Sequence, residues 1–143
     1  MASYVGGFHI ALIVSVCFLM ARDVASGLNT DFLYRICNGN RFPPDWHEKD
    51  FPAQFVWKIV RNTPYADGYE YYTDKVYYAI HFYGHGVCTQ GLPQNECSQC
   101  LYVATDNLWK NCDTSVIGAQ IQLRDCRIRY EEYHFNNDGF NGK

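Results

Sequence analysis

The chain has 143 residues, with 12 Lys+Arg against 15 Asp+Glu and a formal charge of -3. That length holds one domain with a single core, and that charge excludes an affinity built on neutralising nucleic-acid phosphates. With 48% hydrophobic and 19% charged residues, the composition is globular, neither disordered nor collagen-like. Seven cysteines in so short a chain make redox compartment the first question.

Residues 8–20, FHIALIVSVCFLM, form an apolar run that is too short for a bilayer, which needs about 20 residues. Small residues follow at Val24-Ala25-Ser26-Gly27. The pattern predicts a secretory leader over residues 1–27, although no Lys or Arg precedes the run. Its removal takes Cys17 away and leaves Cys37, Cys88, Cys97, Cys100, Cys112 and Cys126. An even set in a secreted chain reads as three disulfides. No later stretch has the length and apolarity of a membrane span, so the expected product is exported and free.

Residues 28–43 read as a short strand ending in the turn Asn38-Gly39-Asn40. Residues 50–62 read as a helix, with Asp50 as cap, Pro52 in the first turn, and a stripe of Phe51, Phe55, Val56, Ile59 and Val60. Residues 69–83 alternate with high β-propensity, giving one or two strands. A second helix follows Pro93, capped by Asn95, with Cys97, Cys100, Leu101, Ala104, Leu108 and Cys112 along one face. Two strands close the domain. In the first, Ile117, Ala119, Ile121 and Leu123 alternate with Gln120, Gln122 and Arg124; in the second, Cys126, Ile128 and Tyr130 alternate with Arg127, Arg129 and Glu131. A turn near Asp125 joins them as an antiparallel hairpin with one face in solvent, which sets Gln122 opposite Arg127 and Gln120 opposite Arg129. The domain runs over residues 28–136, followed by a flexible tail over 137–143. This element order predicts an α+β fold, an antiparallel sheet with both helices packed on it.

The segment CTQGLPQNECSQC spaces its cysteines as C-x8-C-x2-C. A CxxC can be half a zinc site, a redox pair, or two residues bridged to different partners. Zinc needs four ligands and no second pair is present, while a redox pair expects a βαβ context. His81 and His85 are four apart, but Gly84 and Gly86 interrupt any helix that would align them, so neither metal nor cofactor is expected. Glu131 and Glu132 point to opposite faces of a strand and cannot flank one glycosidic bond. No nucleophile–base arrangement is readable, so enzymatic activity is not expected. The tyrosines from Tyr65 to Tyr83 either pack across strands or stack on sugar rings.

The opening LNTDF…CN, the YGHGVC segment, the triple-cysteine core, the helix ending in WKNC and the closing IGAQIQLRDCRIRYEEYHF together resemble the plant DUF26, or ginkbilobin-homologous, domain of salt-stress-response and antifungal proteins. The resemblance runs from about Leu28 to Phe135. It implies five antiparallel strands and two helices, with the pairs Cys37–Cys112, Cys88–Cys97 and Cys100–Cys126. The single domain without a membrane span resembles the secreted antifungal, mannose-binding branch of that family. In that branch the sugar site is an asparagine after the first cysteine, an arginine on the penultimate strand and a glutamate on the last. Asn38 and Glu131 match; the arginine position holds Gln120, and Arg129 opposite it is the candidate substitute cation. An amide, a carboxylate and a guanidinium can together span vicinal hydroxyls. The resemblance thus implies a monomeric apoplastic defence protein binding mannose or cell-wall mannan through Asn38, Gln120, Arg129 and Glu131. The second reading is an apoplastic interaction or signalling module that has lost sugar binding, which the glutamine at 120 favours. An accessible, unpaired polar cluster would mark the first; an exposed apolar patch would mark the second.

Overall fold

The computed structural model describes residues 27–44, 50–136 and 140. All but Gly27 of the expected leader, and all but Phe140 of the expected tail, lie outside the described residues. In helix α1 (Phe51–Asn62), Phe51, Phe55, Val56, Ile59 and Val60 recur on one face and are buried as the stripe predicts. Asp50 precedes the helix but makes no side-chain cap. A capping side chain needs an extended backbone, and Asp50 already has helical dihedrals (φ -88, ψ -5), so only its carbonyl serves, accepting from the Gln54 N–H at 2.9 Å. Helix α2 (Gln94–Asn111) likewise starts two residues earlier than an Asn95 cap requires: Pro93 occupies the cap, and its carbonyl accepts from Glu96 and Cys97.

The strands are β1 (Phe32–Cys37), β2 (Glu70–Tyr77), β3 (Ile80–Cys88), β4 (Ala119–Leu123) and β5 (Cys126–Glu131). They form one antiparallel sheet in the order β1-β4-β5-β3-β2. The alternating run from residue 69 is two strands, joined through Tyr78 and Ala79, both at positive φ (45° and 67°). That conformation suits the right-handed twist of a two-residue hairpin, but neither residue is the Gly or Asn that signals it in a sequence. After β1, the Asn38 side chain accepts from the Asn40 N–H at 2.9 Å, the local bond expected of the Asn38-Gly39-Asn40 turn.

Both helices cover one face. On that face Phe82, Leu101, Leu108, Ile121, Leu123, Ile128 and Tyr130 are fully buried, each contributing about 1.5–3 kcal/mol by leaving water. Gly84 and Gly86 let α1 approach β3. A Cβ on Gly86 would lie 2.3 Å from Thr63 Oγ1 and 2.6 Å from Ile59 Cγ2. The Thr63 hydroxyl is itself held, donating to the Ile59 carbonyl at 2.8 Å. Gly86→Ala is therefore expected to cost about 1–3 kcal/mol as an overpacked contact, read as a lower urea midpoint at unchanged slope.

The disulfides are Cys37–Cys112, Cys88–Cys97 and Cys100–Cys126, with sequence separations of 75, 9 and 26 residues. Every one has a partner on or just beyond α2, and Cys37–Cys112 closes the longest loop. A Cys37→Ala/Cys112→Ala variant is expected to lose about 2–5 kcal/mol, a large part of a domain's net stability. Thermal melts beside wild type check this, and a variant melting within a few degrees would contradict it.

Candidate functional site

The strand pleat sends alternate residues to the face away from the helices. Gln120 and Gln122 of β4, Arg127, Arg129 and Glu131 of β5, and Tyr83 and His85 of β3 share it. The expected pairs are present: Gln120 lies opposite Arg129 and Gln122 opposite Arg127. The expected solvated surface is not. Gln120, Gln122, Arg127 and Glu131 are only 6%, 8%, 4% and 5% exposed. Aromatic rings lie over the strands. Phe135 sits 4.1 Å from the Arg129 guanidinium, Phe140 sits 5.8 Å from that of Arg127, and Tyr72 packs 4.3 Å from the His85 ring. Alternation says which residues share a face, not what covers it.

Three of the four candidate binding residues meet. Asn38 Nδ2 donates to Glu131 Oε2 at 3.3 Å, and Arg129 Nε donates to Glu131 Oε1 at 3.3 Å. Asn38 reaches the carboxylate because its N–H bonds the Gly118 carbonyl at 2.9 Å, extending the ladder by one row beyond β1 and β4. Gly118 also makes the room: a Cβ there would stand 2.1 Å from Glu131 Oε2. Tyr133 completes the cluster, accepting from Arg129 Nη2 at 3.2 Å and hydrogen-bonding Glu131. Burial raises the Glu131 pKa against the pull of Arg129, Asn38 and Tyr133.

Gln120 turns elsewhere. Its Nε2 donates to the Tyr34 hydroxyl at 2.6 Å. An arginine at 120 would stand directly opposite Arg129, and like charges so placed repel. The cation thus reaches the Glu131 carboxylate from β5 instead of β4.

Gly118, Tyr133 and Phe135 were not legible as cluster members. Gly118 carries no side-chain signal, and Tyr133 and Phe135 come into place only as the chain beyond β5 returns over the sheet. Beside them Tyr72, Asp74, Tyr83, His134 and Phe135 line a cleft of about 260 Å³. The tyrosine run divides accordingly: Tyr77 stacks on Phe51 in the core, while Tyr72 and Tyr83 border the cleft.

His81 and His85 each meet a carboxylate from β2. His81 Nε2 is 2.7 Å from Asp74 Oδ2, and His85 Nε2 is 3.1 Å from Glu70 Oε1. His85 is fully buried, and desolvation, followed by repulsion from Arg127, lowers its pKa to about 4 against the attraction of Glu70. The unfolded chain therefore binds a proton at this residue more readily than the folded one. Stability should rise with pH from about 4 to about 6.5, by up to roughly 3 kcal/mol. Urea midpoints across that window check it, and the rise should be flattened in His85→Gln.

A sequence profile described as salt stress response/antifungal matches residues 49–133. The chain is 33% identical over 130 residues to antifungal protein ginkbilobin-like protein 1 of Picea sitchensis, covering 90% of this chain and 96% of that one. It is 28% identical to antifungal protein ginkbilobin-2 of Ginkgo biloba, covering 90% and 93%. Among solved structures, the tandem DUF26 ectodomain of the Arabidopsis thaliana cysteine-rich receptor-like protein PDLP8 superposes with a TM-score of 0.64 at 21% identity. The match covers 75% of this chain and 51% of that ectodomain, so the chain spans about half its length.

Proposed function

The chain belongs to the salt stress response/antifungal family, and we propose that it is a secreted defence protein that binds mannose-type glycans of fungal cell walls. In this reading residues 1–27 are removed on export, residues 28–136 are the binding domain, and residues 137–143 are its tail. The observation that carries it is the convergence of Asn38, Arg129 and Glu131 through two 3.3 Å hydrogen bonds on one carboxylate. The Glu131 carboxylate orients the other two. Arg129, with its side chain 21% exposed, then offers a donor to sugar hydroxyls, and Tyr133 at the rim a hydroxyl oxygen that can accept. The neighbouring cleft supplies aromatic walls for the apolar face of a pyranose. Gln120 buttresses Tyr34 and does not touch the sugar.

A second reading, a protein-interaction module without sugar binding, is favoured by one observation. Edge strand β1 exposes Phe32, Tyr34 and Ile36 (53%, 39% and 56%), an apolar surface beside unpaired backbone groups.

Titration of the oxidised protein with mannose, followed by NMR, separates the two. Under the first reading the Asn38 and Arg129 side-chain resonances shift, and Glu131→Gln weakens binding by about tenfold to a hundredfold, the loss of one charge-assisted hydrogen bond. The amide also lowers the melting temperature by leaving Arg129 without its ion pair, so binding is compared at a temperature where both proteins are folded. Absence of mannose-dependent shifts at tens of millimolar sugar, about ten times a millimolar dissociation constant, overturns the first reading and leaves the second.

A further inference from the structure

Arg127 is the least accounted-for charge on this face. Its residue is 4% exposed, and its Nε and Nη2 are buried with no hydrogen-bond partner among the described residues. A buried guanidinium without an ion pair is costly, and such unsatisfied groups in a folded protein mark a missing partner or a function. The carboxylates on this side are committed elsewhere: Glu131 to Asn38 and Arg129, Glu70 to His85 and the Tyr72 hydroxyl. The Phe140 ring lies over the cation, but a ring face offers no lone pair to an N–H. The two orphan donors are also a matched set. Nε–H and Nη2–H point the same way along one edge of the guanidinium, the geometry that takes both oxygens of a carboxylate side-on.

We propose that Arg127 is the centre of a second binding site, which takes a carboxylate or small oxyanion side-on through Nε and Nη2. Gln122, opposite Arg127 on β4, is placed to add an amide donor. Arg129, two residues along the same face, keeps the local potential positive. His85 opposite Arg129 has its Nδ1 buried without a partner among the described residues, and burial, followed by repulsion from Arg127 and then Arg129, disfavours its charged form. The anion exchanges one cation–π contact with Phe140 for two charge-assisted hydrogen bonds. The site is distinct from the mannose reading: it uses neither Asn38 nor Glu131, and Arg129 only as a neighbouring charge.

The test titrates the oxidised full chain with galacturonate, galactose and inorganic sulfate, observing the Arg127 Nε–H cross-peak and the His85 ring by NMR. Galacturonate should move both and galactose neither, since the two sugars differ by the carboxylate. Sulfate binding as well identifies a general oxyanion site, and its failure beside galacturonate restricts the site to carboxylates. Arg127→Met should weaken anion binding by about tenfold or more, since it removes two charge-assisted bonds. It should not lower the melting temperature in anion-free buffer, because none of the described residues is hydrogen-bonded to those nitrogens. Arg127→Lys, which keeps the charge without the side-on pair, should also bind more weakly, and it serves if the methionine variant fails to fold. No shift with either anion at tens of millimolar, or wild-type anion affinity in both variants, overturns the proposal.

Discussion

Helix α2 is bonded covalently to three of the five strands, and the rest of the architecture depends on that. Cys97 holds the end of β3, Cys100 the start of β5, and Cys112, just past the helix, the end of β1. These bonds act mainly by shrinking the unfolded ensemble, which matters most in a domain whose sheet pairs distant segments. Strands β1 and β4 are far apart in the chain, yet Cys37 lies opposite Ala119 in an unbroken register through Tyr34. The register is tied where it counts, one residue before Asn38.

The two faces of the sheet solve opposite problems. The helix face is apolar and close-packed, with Gly84 and Gly86 surrendering side chains so that α1 can approach. The other face buries charge. There Glu131 is neutralised by Arg129 and hydrogen-bonded by Asn38, and the space it needs is left by Gly118. A glycine on each side of the sheet thus serves contact, of helix with strand in one case and of carboxylate with amide in the other. Buried polar clusters are tolerated only when their members are satisfied. The Glu131 cluster meets that condition within the protein, and Arg127 does not.

A single exchange between neighbouring strands links sequence to chemistry. Glutamine at 120 and arginine at 129 stand opposite one another, so the guanidinium enters the cluster from β5 while the glutamine supports Tyr34. The pairing needed for this could be read from the hairpin register alone, because two strands joined by a tight turn have only one set of facing residues that buries the apolar side.

The sequence by itself determined the α+β order, both helices, the closing hairpin and its register, because hydrophobic period and turn residues act locally. The resemblance to a known family supplied the disulfide pairing, which spacing alone leaves open. Local chemistry misled at the helix starts, where Asp50 and Asn95 are good capping residues in backbones that do not let them cap. It was silent at Tyr78-Ala79, where strand twist imposes positive φ on residues that do not ask for it. Only the tertiary structure decided that the polar face is covered. The residues that cover it, Tyr34, Tyr72 and Phe135, come from both edges of the sheet and from beyond its last strand. Burial is a property of what stands opposite a side chain in space, and alternation along one strand carries no information about that.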